Sequence, residues 1–396
     1  MAEIRLESVA KTFGAFTAVK GVDFTVDHGS FFVILGPSGC GKTTTLRMMA
    51  GLGLPTSGRI LLDGEDVTAL PASARDVAFV FQMFALYPHM NVRQNIGFPL
   101  KCQSFQRAEI RRSVEETARL LRIDHLLERR VGGLSGGDRQ RVALGRAIVR
   151  RPLAFLMDEP LGTLDTEFRD LMCEELRHLH DRIKATTVYV THDQLEAMSM
   201  ADKIAVMSRG VIEQFGPPQE IYDRPATMFV AGFIGSPPMN FMPATVTGDK
   251  VELPFVTVDL PEHARDGRIP EDTLLIAGIR PEHFQDVGAD PARAGDGATF
   301  RATIDVVEWL GNEAFGYIPY DAPPEVEAQL EQLAKDLDSE ALRTQIIVAL
   351  DSSSRIRDGE EAELHVDSSR MHLFEPGTGD NLTLRAVGDD ERTAVA

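Results

Sequence analysis

The chain has 396 residues, 41 Lys and Arg against 60 Asp and Glu, and a formal net charge of −19. That length calls for two or three domains, and a composition 43% hydrophobic and 26% charged excludes wholesale disorder. The acidic balance argues against nonspecific binding to nucleic acid, which needs clustered cations. The opening MAEIRLESVAKTFG carries charges at positions 3, 5 and 7 and does not read as a signal peptide. No run reaches the ~18 uncharged apolar residues of a bilayer span, so work at a membrane would need another chain as anchor. Cys40, Cys102 and Cys173 are too few and too scattered for a disulfide framework or a zinc site, and read as reduced thiols of a cytosolic protein.

In chain order, residues 1–235 alternate strand-like and helix-like segments, the pattern of an α/β domain with a largely parallel sheet. Phe31–Leu35, Ala154–Met157 and Thr187–Val190 are continuous apolar or β-branched runs, as expected of strands buried on both faces. Residues 104–130 combine helical spacing (Ile110, Val114, Ala118, Leu121) with dense charge and predict a helical insertion. The segment SPPMNFMP after Gly235 cannot continue a helix and reads as a linker. From about Ala244 to Phe374, short β-prone pieces (Ala244–Val246, Leu274–Ile279, Thr303–Val307, Gln345–Leu350, Ala362–Val366) alternate with Gly, Pro and Asp, which predicts a small all-β barrel or sandwich. A helical stretch near Pro324–Lys335 interrupts it. The domain reading is 1–236, with a helical subdomain at about 88–150, then 237–376, then a polar acidic tail over 377–396 expected to fray.

Two motifs carry chemistry on their own. Gly36, Pro37, Ser38, Gly39, Cys40, Gly41, Lys42 and Thr43 fit G-x-x-x-x-G-K-[ST] directly after an apolar strand and before a helix, the context that motif demands. Glycines let backbone N–H groups wrap a phosphate, and the helix N-terminus adds a favourable dipole. Lys42 supplies charge for the β- and γ-phosphates of a nucleotide, Thr43 suits Mg²⁺, and Thr44 is a further phosphate contact. The second motif is Leu153–Glu159, a strand ending in Asp158 and Glu159. Alternating side chains let only one carboxylate face a metal. Asp158 is placed to hold Mg²⁺ through water, and Glu159 to polarise an attacking water as general base.

With three further segments these motifs resemble the ATP-binding subunit of an ABC transporter over nearly the whole chain. Gln82 in VFQMFALYPHM stands where that family places a metal- and water-sensing glutamine. Leu134–Gln140 (LSGGDRQ) resembles the family signature, Leu164-Asp165 the D-loop, and His192 in VTHDQLEAM the switch histidine. The resemblance implies an α/β P-loop NTPase, a RecA-like core with helical subdomain, plus a C-terminal all-β OB-like regulatory domain. It implies that Ser135, Gly136, Gly137 and Asp138, with Asp165, complete the ATP site of a second subunit, so that a homodimer or paired ATPase closes face to face. Free amides at the start of an Arg-rich helix suit such an anion site. Adenine would stack on an aromatic about two dozen positions before the phosphate loop. Phe13 fits best, Phe16 is its rival, and either could be core.

Two departures stand out. Asp138 replaces the usual signature glutamine, and its charge at ~5–8 Å from a phosphate is expected to cost about 1 kcal/mol of ATP-driven closure. Leu161–Leu164 lacks the usual Ser-Asn before Asp165. One cassette and no span imply a peripheral subunit on the cytoplasmic face of the cell membrane. It would dock on two membrane permease subunits, with an extracytoplasmic solute-binding protein involved indirectly. Ala85–Val92 resembles the surface that grips a permease, with Tyr87 and Met90 as apolar contacts. Gly235–Phe241, Gly278–His283, Glu308–Asn312 and Ser369–Phe374 resemble the regulatory domain of carbohydrate importers, most closely those for maltose, trehalose and glycerol 3-phosphate. An importer of polyamine, iron or sulfate, or a soluble ABC ATPase acting on ribosomes or DNA, remains the alternative.

Overall fold

A computed structural model describes residues 2–162, 166–265, 269–288, 297–311, 313–337, 344–351 and 353–384, without the side chains of 166–168. The chain divides into two compact units, one running to Pro218 and the other starting at Gln219. Residues 219–236, read from the sequence with the first domain, group with the second unit.

The first unit starts as an antiparallel sheet of β1 (Ile4–Phe13), β2 (Phe16–Val26), β4 (Ser57–Leu62) and β5 (Glu65–Asp66) in the order β2-β1-β4-β5. The central sheet adds β3 (Phe31–Leu35), β6 (Val77–Val80), β7 (Ala154–Asp158), β8 (Thr186–Thr191), β9 (Lys203–Ser208) and β10 (Val211–Gly216), in the order β10-β9-β3-β8-β7-β6. Five of these run parallel and β10 closes the edge antiparallel. The expected strands are all present. Every residue of β3 and β8 is buried, which is why their sequences do not alternate.

Helices α1 (Lys42–Met49), α2 (Val92–Cys102), α3 (Arg107–Leu120), α4 (Gly136–Ile148), α5 (Thr166–Ile183) and α6 (Gln194–Met200) complete the unit. The insertion is an α2–α3–α4 layer. Asn91 caps α2 in a reciprocal box with Gln94, satisfying two orphan groups of the first turn.

The second unit contains α7 (Pro218–Asp223), of which only Pro218 falls in the first unit, and α8 (Met228–Phe233). It continues with β11 (Asn240–Thr247), β12 (Lys250–Glu252), β13 (Thr257–Asp259), β14 (Leu274–Ile279), β15 (Phe284–Asp286), β16 (Ala298–Thr303), β17 (Val306–Trp309), β18 (Ala314–Pro319), α9 (Pro324–Leu337), β19 (Gln345–Leu350), β20 (Glu361–Val366) and β21 (His372–Phe374). Three antiparallel sheets, β13-β12-β11-β14-β21, β15-β20-β16 and β17-β18-β19, share one apolar core.

Three expectations need correction here. Half of the proposed linker is strand: Asn240–Pro243 open β11 and pair with Ile276–Ile279, because Phe241 and Met242 are buried. Thr303–Val307 is not one strand but the junction of β16 and β17. The tail does not fray at Gly377. The Leu382 N–H donates to the Leu373 carbonyl at 2.8 Å, and Asn381 and Thr383 are buried.

Candidate functional site

The phosphate loop turns between the C-terminal end of β3 and α1. Its glycines are dictated by space and dihedral. A Cβ on Gly36 would stand 2.1 Å from the Met207 carbonyl oxygen, and Gly41 has φ +114° with the Ala18 carbonyl 2.7 Å from where a Cβ would lie. Only glycine takes up such a position without strain. Lys42 is 4% exposed, and its ammonium donates to the carbonyls of Gly36 (2.7 Å) and Pro37 (2.8 Å). Ser38 and Gly39 face solvent, Thr44 is half-buried, and Cys40 is buried. Burial pushes the Cys40 thiol pKa up, against the opposing pull of Lys42, so it packs rather than reacts.

Beside the loop, the Thr43 hydroxyl donates to Asp158 Oδ1 at 2.8 Å. Asp158 ends β7 at 7% exposure. Desolvation raises its pKa, opposed by the Thr43 hydrogen bond. Glu159 follows in a left-handed conformation, φ 43°, a strain retained only where surroundings impose it. Its N–H is held by the Val190 carbonyl at 3.0 Å. The carboxylate accepts from Gln82 Nε2 at 3.3 Å on one oxygen and lies 3.3 Å from His192 Nδ1 on the other. Gln82, Glu159 and His192, distant in sequence, therefore form one cluster at the C-terminal ends of β6, β7 and β8, the edge where ligands of open α/β sheets bind.

The signature residues stand apart. Ser135 caps α4, accepting from the Asp138 N–H at 3.2 Å, while its hydroxyl donates to Asp138 Oδ2 at 2.7 Å. Arg141 lies 3.5 Å from the other Asp138 oxygen and 2.8 Å from Glu175. The Asp138 charge is thus partly matched within its own helix, which lowers the repulsion expected of an isolated carboxylate. No hydrogen bond among the described residues joins Ser135–Asp138 to the phosphate loop. Phe13 and Phe16 face each other across the β1–β2 hairpin, 55% and 64% exposed, with the Lys11 ammonium 5.0 Å from the Phe13 ring centre. Asp165 lies outside the described residues.

Several residues around the site escaped the sequence reading. Arg75, 1% exposed, donates to the carbonyls of Met48, Met49, Thr68 and Leu70 at 2.7–3.0 Å and clamps the far end of α1. Arg146 donates to the carbonyls of Phe84 and Ala85, both 2.7 Å, and fixes the left-handed turn there (φ 58° and 45°) just after Gln82. Behind His192, Glu196 is buried and accepts from the hydroxyls of Tyr189 and Thr191. Two of the three were visible only as arginines. The half-buried Tyr87 ring packs 4.7 Å from Phe98 and its N–H donates to Asn95, and Phe81 and Met83 are further exposed apolar groups beside Gln82.

Residues 19–162 match the ABC transporter family and residues 235–284 the MalK OB fold domain. The chain is 45% identical over 389 residues to the trehalose import ATP-binding protein SugC of Mycobacterium tuberculosis, covering 97% of this chain and 99% of that one. This chain belongs to the ATP-binding subunits of ABC importers. The trehalose/maltose import ATP-binding protein MalK of Thermococcus litoralis is 44% identical over 96% of this chain and 99% of its own length. The sn-glycerol-3-phosphate import ATP-binding protein UgpC of Cereibacter sphaeroides is 43% identical over 96% and 100%. Among solved structures, cbiO1 of Clostridium perfringens, part of an ABC transporter complex, superposes with TM-score 0.52 at 26% identity over 55% of this chain and 89% of that one. The subunit is an ATPase that binds and hydrolyses ATP to drive import, peripheral to the membrane. Among the described residues no helix is long and apolar enough to cross one. The relatives that match over nearly the full length are import subunits named for trehalose, maltose and sn-glycerol 3-phosphate.

Proposed function

We propose that the chain powers uptake of a carbohydrate or related solute, with Glu159 as general base, His192 and Gln82 as its catalytic partners, and Lys42 with the loop amides as the phosphate cradle. The observation that supports this reading is the cluster of Gln82, Glu159 and His192 at the strand ends, beside Asp158 and Thr43. Glu159 accepts hydrogen bonds and is not spent on an arginine, so a water placed before the γ-phosphate meets a carboxylate able to take its proton. His192, 51% exposed on its side chain, is free to turn toward the phosphate it would orient.

Mg²⁺ fits the oxygen donors present. Thr43 and Asp158 would hold it together with Gln82, and no competing group of three or more His, Cys, Asp or Glu ligands exists among the described residues. Bound there, the ion would neutralise charge on the β- and γ-phosphates. Ser135, Gly136, Gly137, Asp138 and Asp165 would serve the partner's nucleotide, Phe13 the adenine. The subunit would act at the cytoplasmic face, receiving cargo that an extracytoplasmic solute-binding protein delivers to the permeases. The test is Glu159→Gln. ATP should then hold the protein as a dimer by light scattering while hydrolysis falls, and full turnover in that variant would remove Glu159 from the base role.

A further inference from the structure

Three of the four short segments that mark the second unit, Gly235–Phe241, Gly278–His283 and Ser369–Phe374, meet around one cavity of about 450 Å³, through Met239, Arg280, Glu282, His283, Ser369, Arg370 and His372. The roles assigned to the ATP site use none of them. That volume falls within the usual range of small-molecule sites, about 300–1,000 Å³.

Arg280 is the chemical anomaly in its wall. It is 3% exposed, and its guanidinium donates to the carbonyls of Ile234 (2.7 Å) and Tyr222 (2.6 Å) and lies 3.5 Å over the Tyr222 ring. No carboxylate among the described residues stands within the 4.0 Å of an ion pair. The nearest acids in the wall are Asp223 and Glu282, and Glu282 already accepts the Tyr222 hydroxyl at 2.6 Å. A buried cation without a counter-charge is costly, and desolvation lowers its pKa accordingly. Arg370, on the exposed rim, sets a second guanidinium beside Arg280 in the same wall.

The histidines add directional groups. His283 Nδ1 is buried with no hydrogen-bond partner. His372, 6% exposed, is oriented by Thr383 and Asn381. Burial lowers the pKa of both rings and keeps them neutral; the His372 Nδ1 is already engaged, so His283 is the ring with an open nitrogen for a ligand. Met239, Leu384 and the Tyr222 ring supply apolar wall, which suits a carbon skeleton better than a bare ion.

We propose that this cavity binds a small organic anion, a phosphate monoester or a carboxylate, whose charged end meets Arg280 and Arg370 and whose body packs on Met239. Such an effector would act on the second unit independently of nucleotide.

The test uses the full chain carrying Lys42→Ala, so that the phosphate loop contributes no anion binding. Glycerol 3-phosphate, pyruvate and inorganic phosphate are titrated by calorimetry, with glycerol as the neutral blank, while histidine ring resonances are followed by NMR. The expected result is saturable one-to-one binding of at least one organic anion and none of glycerol, with a shifted His283 resonance. Affinity should fall at least tenfold in Arg370→Glu, on the exposed rim, and in His283→Phe. Preference for glycerol 3-phosphate or for pyruvate assigns the anion to the phosphate or carboxylate class. Absence of saturable binding by both organic anions, or equal affinity in both variants, overturns the proposal.

Discussion

Replacing Arg75 by Met removes a guanidinium that serves four backbone carbonyls at 2.7–3.0 Å. Two of those, Met48 and Met49, are carbonyls at the C-terminal end of α1, where the helix leaves its last acceptors unpaired; Met48 keeps the Gly51 N–H at 3.1 Å, so three acceptors lose their donor. Stranding a buried acceptor costs about 1–3 kcal/mol. At the low end, suited to carbonyls that retain a second lone pair, three amount to about 3 kcal/mol. Relief of the buried charge, which burial already disfavours, returns part of this, so the expected net loss is about 2 kcal/mol. Opening of α1 then becomes on the order of 30 times more frequent. Because Lys42 and Thr43 open the same helix, ATP affinity should fall with it. Amide exchange across residues 42–50, measured by mass spectrometry with and without ATP, reads both effects. Arg75→Lys should recover less than half, since one ammonium cannot span four acceptors. Protection of α1 unchanged within about 0.5 kcal/mol in Arg75→Met would refute the reasoning.

Glu159→Gln should lower hydrolysis by about 10²–10⁴ with ATP affinity retained, measured by phosphate release and nucleotide titration. Asp138→Gln frees the Ser135 hydroxyl and removes a charge, so ATP-driven pairing in the Glu159→Gln background should tighten severalfold by light scattering; no change would mean Arg141 already neutralises that carboxylate. Burial holds the His372 pKa down to about 3, first through desolvation. The unfolded chain, with histidine near 6.5, binds the extra proton first, so stability is present above pH 6.5 and is lost as pH falls toward 3. Between pH 7 and 4 the loss is about 3 kcal/mol, and His372→Gln should flatten that slope in urea unfolding. Under iodoacetamide at pH 8, exposed Cys102 should be modified first, while Cys40 and Cys173, both buried, the latter pushed up to about 12 by desolvation, should react only on unfolding.

The central sheet was legible because burial on both faces leaves uninterrupted apolar strings, and the phosphate loop because its chemistry needs glycine and lysine at fixed spacing. Gln82, Glu159 and His192 could be named from motif likeness, and their convergence depended on strand order, which no local pattern encodes. Asn240–Pro243 misled for the opposite reason: two prolines and a glycine precede a segment whose strand partner is Ile276–Ile279 of β14, far along the chain. Arg75 and Arg146 were invisible because their partners are main-chain carbonyls, which leave no trace in composition. The same holds for Arg280, a residue quoted within a motif but given no role by its neighbours in sequence.

Glu159 and His192 belong to adjacent parallel strands, and the Glu159 N–H is fastened to Val190 on the strand that ends just before the histidine. Gln82 follows β6, and the turn after it is fastened by Arg146 to α4. Any rocking of the helical layer against the sheet therefore leaves the acid–imidazole pair in mutual alignment and tugs at the glutamine alone. One member of the trio is tied to the helical layer while two sit on the sheet, so any displacement between those layers would register as the gain or loss of a single amide contact.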